Sequence, residues 1–403
     1  MLTNTIHLVE DCRNALEAVR SALIHLYEAV GADADVPQEV SRRFNINRNL
    51  TWKLSRVIGA SDPFSTLNHL PGQPGMELAI AAFERAGAPL TTTEDVREAL
   101  LTLQKVVKDH AGDREHLQLT LESMGLFESD AAAANGRELA FRGNSMVWGV
   151  QAKTRVATAM LAPSTQGPGK VDYAMISGLV GFRRLRPTAQ WRLYRAQMHD
   201  DKGHPLPLTG RLETIDPDPP TDLPFLLRDF CSPNMPEIIS FDGPEGREFC
   251  LPGGQVGNRA TFDCYFGYIF RGLPAVQSPD NQFGSTAATI TLPVESIVFD
   301  LLTHQDVPMP TRPEVTLHGF PHGGPEDPSA QHARNLLPLN AKLIDLTGSP
   351  PAVATPSVPK LARIVEHVCA RMGWNPAQFR GVRLQMRHPP MSSKVVMRWP
   401  LAP

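Results

Sequence analysis

With 403 residues, 42% of them apolar and 20% charged, the chain is long enough for two or three ordinary cores and has the composition of a soluble globular protein. A net charge of -3 and an isoelectric point near 6.5 argue against a general coating of polyanions, so any nucleic-acid contact has to come from a local basic patch. Five scattered cysteines, Cys12, Cys231, Cys250, Cys264 and Cys369, include no C-x-x-C pair, which argues against a disulfide framework and a zinc site and fits a reducing cytoplasm. The opening MLTNTIHLVEDCRNALEAVR interrupts its apolar positions with acids, so neither a secretory leader nor a membrane span is expected there.

In the first thirty residues Val9, Cys12, Leu16, Val19, Leu23, Leu26 and Val30 recur at alternating spacings of three and four, the rhythm that gives a helix a narrow apolar seam. That seam packs either on helices of its own domain or on a second copy. Ile6, Leu8, Ala15, Ala22 and Ile24 widen it, which favours the first.

The next stretch, VPQEVSRRFNINRNLTWKLSRVIG from Val36 to Gly59, carries five basic side chains against one acidic. Pro37 suits a helix start, where its missing N–H costs nothing, and Val40 and Phe44 lie four apart on one face. Asn45, tolerant of the left-handed backbone, then breaks the pattern, and Ile46 follows as an apolar plug. Helical spacing resumes with Leu50, Leu54 and Val57 inward and Arg48, Asn49, Trp52, Lys53 and Arg56 outward.

These residues resemble the helix-turn-helix of bacterial transcription regulators over about twenty positions. Val40 and Ser41 match the apolar and small positions of the first helix, Asn45 stands at the usual glycine, Ile46 is the apolar residue of the turn, and Leu54 is the late core position. Thr51 departs from the pattern, standing where a β-branched aliphatic is usual, and has to be half buried. The resemblance implies that the second helix enters the DNA major groove. Asn47, Arg48 and Asn49 would then reach base edges or phosphates, Trp52, Lys53 and Arg56 would lie further along, and Arg42 and Arg43 would contact phosphates. The same residues also suit a solvated basic face on an ordinary helical hairpin.

Further along, a Pro/Gly loop precedes a helix from Met76 to about Ala86 with Leu78, Ile80, Ala81 and Phe83 as core. A second helix follows from TTTEDVREALLTLQKVVKDH, with a Thr cap and acids in its first turn. LPGQPG from Leu70 lacks the ending of a phosphate loop. From about residue 140 proline and glycine become frequent and β-rich runs appear, such as RATFDCYFGYIF and TAATITLPVESIVF. FRRLRPTAQWRLYRAQ suits a strand with Phe182, Leu185, Trp191, Leu193 and Tyr194 inward and its arginines either solvated or meeting an anion. Trp148 and Val150 are expected to be buried.

Catalytic patterns are thin. His318 and His322 sit in a Pro/Gly loop with no helix to hold both rings; Cys250 and Cys264 suit small buried hydrophobes; Glu295 and Asp300 lie near one strand without an acid/base spacing. Near the end, SVPKLARIVEHVCARMGW is an amphipathic helix, and the strands after it flank a turn at His388.

The expected fold is α+β: an N-terminal all-α helix-turn-helix bundle, then a β-rich antiparallel sandwich or barrel-like domain with a C-terminal helix and hairpin. Its parts are a helical DNA-binding domain over 1–127 with the motif at 37–58, a hinge at 128–140, a β-rich sensor or dimerisation domain over 141–346, a Pro-rich connection at 347–359, and the helix and hairpin over 360–403. The expected function is sequence-specific transcriptional regulation by a cytoplasmic homodimer on double-stranded DNA, with a possible small-molecule effector and with no cofactor, metal or membrane. The alternatives are a structural or protein-interaction module, and an enzyme acting through the β-rich domain.

Overall fold

The structure is a computed structural model that describes residues 2–60, 62–124, 126, 130–194, 198–199, 205–206, 212–219, 223, 225–243, 246–279, 281–309, 312–319, 335–339 and 341–403. His322 therefore lies outside the described residues, as do residues 195–197 of the arginine-rich segment and 128–129 of the expected hinge. The fold is α+β, with two compact units, Met1–Ala133 and Ala134–Pro403. The division falls inside a helix, α7 (Asp130–Trp148), so residues 130–140 form helix where a hinge was expected: an alanine run has the highest helical propensity and nothing in it terminates the turn.

Unit one is built from α1 (Leu2–Ala29), α2 (Pro37–Phe44), α3 (Arg48–Ile58), α4 (Gln73–Arg85), α5 (Leu90–His110) and α6 (Arg114–Ser123), with a 3-10 turn over Phe64–Asn68. The seam of α1 is spent inside this unit. Cys12, Leu16, Val19, Leu23 and Leu26 are buried with Phe64, Leu67, Phe83, Val96 and Leu103 in a single core. Each such Leu or Phe contributes about 1.5–3 kcal/mol of burial. In α4 the inward residues are Met76, Ala79, Ile80, Ala82 and Phe83, while Leu78 and Ala81, both expected inside, are exposed, Leu78 by 67%. Three residues mark a little less than one turn, so starting the stripe at Met76 turns Leu78 outward. Helix α5 begins at Leu90 after Pro89 with no side-chain cap, and Thr92 and Thr93 bond back to the carbonyls of Pro89 and Leu90 instead of capping the first turn.

Unit two is layered around a seven-stranded sheet. Its long strands are β1 (Val150–Pro163), β2 (Lys170–Arg184), β9 (Phe262–Pro274), β11 (Val294–His304) and β15 (Phe379–Arg387), with β6 (Leu212–Thr214) and β14 (Leu343–Leu346) at its edges, in the order β14, β15, β11, β1, β2, β9, β6. Neighbours run antiparallel except β1 and β11, which are parallel, so the sheet is mixed rather than wholly antiparallel as expected. Both strands are buried on both faces, and their near-continuous apolar runs show no alternation that would betray a solvated side.

One face of this sheet packs on a four-stranded sheet made of β10 (Phe283–Ile290), β16 (Ser393–Pro400), β12 (Glu314–Gly319) and β13 (Leu336–Leu337). Ala157, Ala159, Phe299 and Leu301 there meet Ala288, Ile290, Val395 and Met397. The opposite face packs on α8 (Leu361–Met372), with Val156, Met160, Val298 and Leu302 against Leu361, Ile364, Val365 and Val368. The two strands that follow α8 form on either side of the expected turn, and each joins a different sheet: β15 lies beside β11, and β16 lies between β10 and β12. The residues between them therefore carry the chain from one layer to the next, helped by the left-handed backbone of His388 and Ser392.

Smaller strands β3 (Trp191–Tyr194), β7 (Ile239–Gly243) and β8 (Gly246–Leu251) form a third sheet, and β4 (Met198–His199) pairs with β5 (Pro205–Leu206). Gly181 sits at a bulge in β2 with φ +63°, its N–H donating to Asp263 at 2.8 Å, in a conformation that a side chain would strain. The Pro-rich segment at 347–359 is less superficial than expected, since Val353 and Val358 are buried beneath α8 and the carbonyl of Val353 accepts a bond from Arg383. Among the described residues no helix is long and apolar enough to cross a membrane.

Candidate nucleic-acid interface

Helices α2 and α3 are joined by a short turn whose geometry follows from three side chains. Asn45 takes φ 53° and ψ 44°, the left-handed conformation that Asn tolerates. Ser41 donates its hydroxyl to the carbonyl of Ile46 at 2.7 Å, while the N–H of Ile46 donates to the carbonyl of Ser41. The Ile46 side chain is buried as the plug. Asn47 then caps α3, its side-chain oxygen accepting from the N–H of Asn49 at 2.8 Å.

Beneath α3, Thr51, Leu54 and Val57 are fully buried. Thr51 is deeper than the half-burial expected, which its hydroxyl survives by donating to the carbonyl of Arg48 at 3.0 Å. Arg20 on α1 donates to the carbonyl of Ile58 at 3.0 Å, tying down the end of α3. Above, Arg48, Asn49, Trp52 and Arg56 are exposed and Lys53 is half-buried. Arg48, Trp52 and Arg56 are spaced by four and form one ridge, flanked by Asn49 and Lys53.

Two expected site residues are engaged elsewhere. Arg43 donates to the carbonyls of Gly31 and Val30, at 2.7 and 2.9 Å, and its guanidinium also lies over the Phe44 ring; it fastens the end of α1 rather than reaching outward. Asn47 has its oxygen committed to the cap, leaving only its amide nitrogen for a ligand. Arg42 is exposed on the last turn of α2.

Sequence reasoning missed His69. The turn over Phe64–Asn68 is anchored by buried Phe64, Thr66 and Leu67, which leaves the His69 ring edge-on to Trp52 with centroids 5.6 Å apart. Arg56 covers the Trp52 ring at 5.3 Å. Burial, then the charges of Arg56 and Lys53, holds the His69 imidazole below the usual histidine range. A lone histidine in a Pro/Gly loop gives no periodic signal; only the anchoring phenylalanine and leucine hinted that the loop folds back.

The described arginines of the arginine-rich stretch in unit two are used internally. Arg183 donates to Asn258, Arg184 to the carbonyls of Ala189 and Pro252, Arg186 to those of Val147 and Trp148, and Arg192 pairs with Glu248 at 2.8 Å. Arg184 is 2% exposed, and Arg186 satisfies carbonyls at the end of α7. Phe182 is in the core as expected, but Leu185 and Trp148 are exposed, Trp148 resting edge-on against Trp191 at 5.9 Å.

The other candidate residues are structural in their surroundings. His318 is buried and shares a bond of 2.8 Å with Thr316. Cys264 is fully buried, and burial pushes its thiol far above the range in which a thiolate forms. Asp300 is locked in a bidentate pair with Arg383, at 2.7 and 2.6 Å, under α8. No protein-family model matches the chain, and no curated protein matches it.

Proposed function

We propose that the chain is a sequence-specific DNA-binding transcriptional regulator that acts as a homodimer, with α3 as its reading helix and unit two carrying effector sensing and dimerisation. The observation that carries this reading is the ridge of Arg48, Trp52 and Arg56, flanked by Asn49 and Lys53, standing on a fully buried underside and entered through a left-handed Asn45. Arg and Asn near the start of a groove-bound helix are the donors that pair with guanine and adenine edges, and Lys53, Arg56 and Arg42 suit phosphates. Trp52, edge-on to His69 and covered by Arg56, gives the ridge a rigid apolar face that a sugar or thymine methyl would meet.

A dimer would not use the seam of α1, which the unit's own core consumes. The test is titration of the full chain with duplex DNA taken from upstream of its own coding sequence, across a salt series. Each phosphate contact contributes about 0.9 to the slope of log affinity against log salt. The double variant Arg48→Ala with Lys53→Ala is expected to lose at least about tenfold in affinity with its melting temperature unchanged. Equal binding by that variant removes the assignment of this face. Duplexes ignored even at low salt remove the regulator reading itself.

A further inference from the structure

Unit two contains a cavity of about 390 Å³ beside the edge strand β14, within the size range of small-molecule sites. Its floor is laid by adjacent strands. Leu301 and Thr303 of β11 stand opposite Val382 and Arg380 of β15, all turned to the same face of the sheet by the period of two. Met309, just after β11, closes one wall, and Arg312 and Asp345 stand at the rim.

Three features of this cavity point to an anion. Arg312 and Asp345 are paired side to side, Nε to Oδ1 at 3.2 Å and Nη2 to Oδ2, so their charges cancel, and among the described lining residues Arg380 supplies one positive charge in excess. Arg380 is half-buried and spends one of its two Nη2 hydrogens on the carbonyl of Met309 at 2.7 Å; that bond aims the guanidinium and leaves the other Nη2 hydrogen to form a donor fork with the nitrogen beside it. The buried hydroxyl of Thr303 donates only to the sulfur of Met309, at 3.3 Å, a weak acceptor that it gives up at little cost to an oxygen. Between these polar groups the surface is aliphatic, from Leu301, Val382 and Met309.

We infer that this cavity binds a small organic acid, one carboxylate on a short apolar body, with the carboxylate on Arg380 and Thr303 and the body against Leu301, Val382 and Met309. The single excess charge selects a monoanion: a dianionic phosphate would leave net negative charge beside Asp345. This deepens the effector part of the proposed function, and its test needs no DNA, so it stands or falls apart from the DNA-binding reading.

The experiment is calorimetric titration of the full chain with acetate, butyrate and benzoate, alongside benzamide as a neutral match for benzoate and phenyl phosphate as a dianion. Saturable binding is expected for butyrate and benzoate, weaker binding for acetate, and none for benzamide or phenyl phosphate. Arg380→Met is expected to weaken benzoate by at least about tenfold. Thr303→Val, which keeps the shape and removes the hydroxyl, is expected to weaken it several-fold. The comparison of benzoate with benzamide uses the native chain, so it remains decisive if the arginine variant unfolds. No saturable binding of any carboxylate, or equal binding of benzoate and benzamide, overturns the inference.

Discussion

At the scale of single residues, the surface around α3 is an electrostatic arrangement with His69 at its centre. Its imidazole lies edge-on to Trp52, and burial together with Arg56 and Lys53 disfavours its charged form. A histidine whose folded value lies below its ordinary one binds fewer protons than in the unfolded chain. Its contribution to stability is therefore complete above about pH 6.5 and is lost as the pH falls through that value toward the folded one. Phosphates placed against Arg56 and Lys53 would reverse the bias, raising the His69 value and drawing in a proton. Affinity for duplex DNA is accordingly expected to rise as the pH is lowered from 7.5 toward 5.5, followed by anisotropy alongside the imidazole resonances. His69→Gln should flatten that dependence. A histidine shift that stays put when DNA is added contradicts the placement of phosphates beside it. Asn45 belongs to the same scale: its tolerance of the left-handed backbone was readable from residue type alone, whereas the use of Arg43 on the last carbonyls of α1 was not, since those partners are 12 and 13 positions away.

Among elements, β10 presents an outer edge at which the proposed dimer would pair. Its ladder to β16 uses the backbone groups of the even-numbered residues, as the bond from Leu401 N–H to the Gln282 carbonyl and that from Ser392 N–H to the Ile290 carbonyl show. Phe283, Ser285, Ala287 and Thr289 therefore turn their backbone outward, and Arg155 takes the carbonyl of Thr289 at 3.1 Å. The strand FGSTAATI holds no charge and no proline, the devices that usually blunt an edge. A two-fold pairing of β10 with its copy would extend the four-stranded sheet across a dimer. Ala287→Pro removes an outward N–H and leaves the ladder to β16 intact, so it should convert a dimer to a monomer in sedimentation while shifting the melting temperature little. A dimer that survives this change forms elsewhere, and a native chain that is monomeric at all concentrations removes the dimer. The helices show the complementary lesson. The seam of α1 was legible because three-and-four spacing survives in the sequence, while the inward face of α4 was misjudged at Leu78 because a run of apolar residues leaves the phase of a helix open.

On the scale of the whole molecule, the described residues form three separate cores, one in unit one and one on each face of the seven-stranded sheet of unit two, and unit two is pinned at its centre by a charge pair. Asp300 is fully buried and Arg383 nearly so, and the arginine also reaches the carbonyl of Val353 at 2.7 Å, joining β11, β15 and the segment ahead of α8. Burial pushes the Asp300 carboxyl up, and the guanidinium pulls it back. Removing one partner leaves an uncompensated buried charge, so Arg383→Met is expected to cost about 3–5 kcal/mol. Hydrogen exchange should place that loss in the amides of unit two. In this variant Asp300 titrates above its unfolded value, so the deficit is smallest at acid pH, where the carboxyl is protonated in both states, and grows as the pH rises. Adding Asp300→Leu removes the charge as well and should recover part of the loss. Full stability in the single variant would show that the pair is dispensable.

What the sequence determined by itself was whatever depends on neighbours along the chain. The α+β class, the α2–turn–α3 unit with its basic outer face and the amphipathic α8 all follow from spacings of three, four and two and from residues that tolerate special backbone, and those signals act over a few positions. The tertiary structure alone decided which strands are neighbours, so that β1 lies parallel to β11 with more than a hundred residues between them. It also sent β15 and β16 into different layers, turned the arginine-rich stretch onto nearby carbonyls, and brought Arg380, Thr303 and Met309 around one cavity. The reason is physical: a sheet joins residues through backbone bonds that carry no record of side-chain identity, and a site assembled across such bonds leaves no spacing to read.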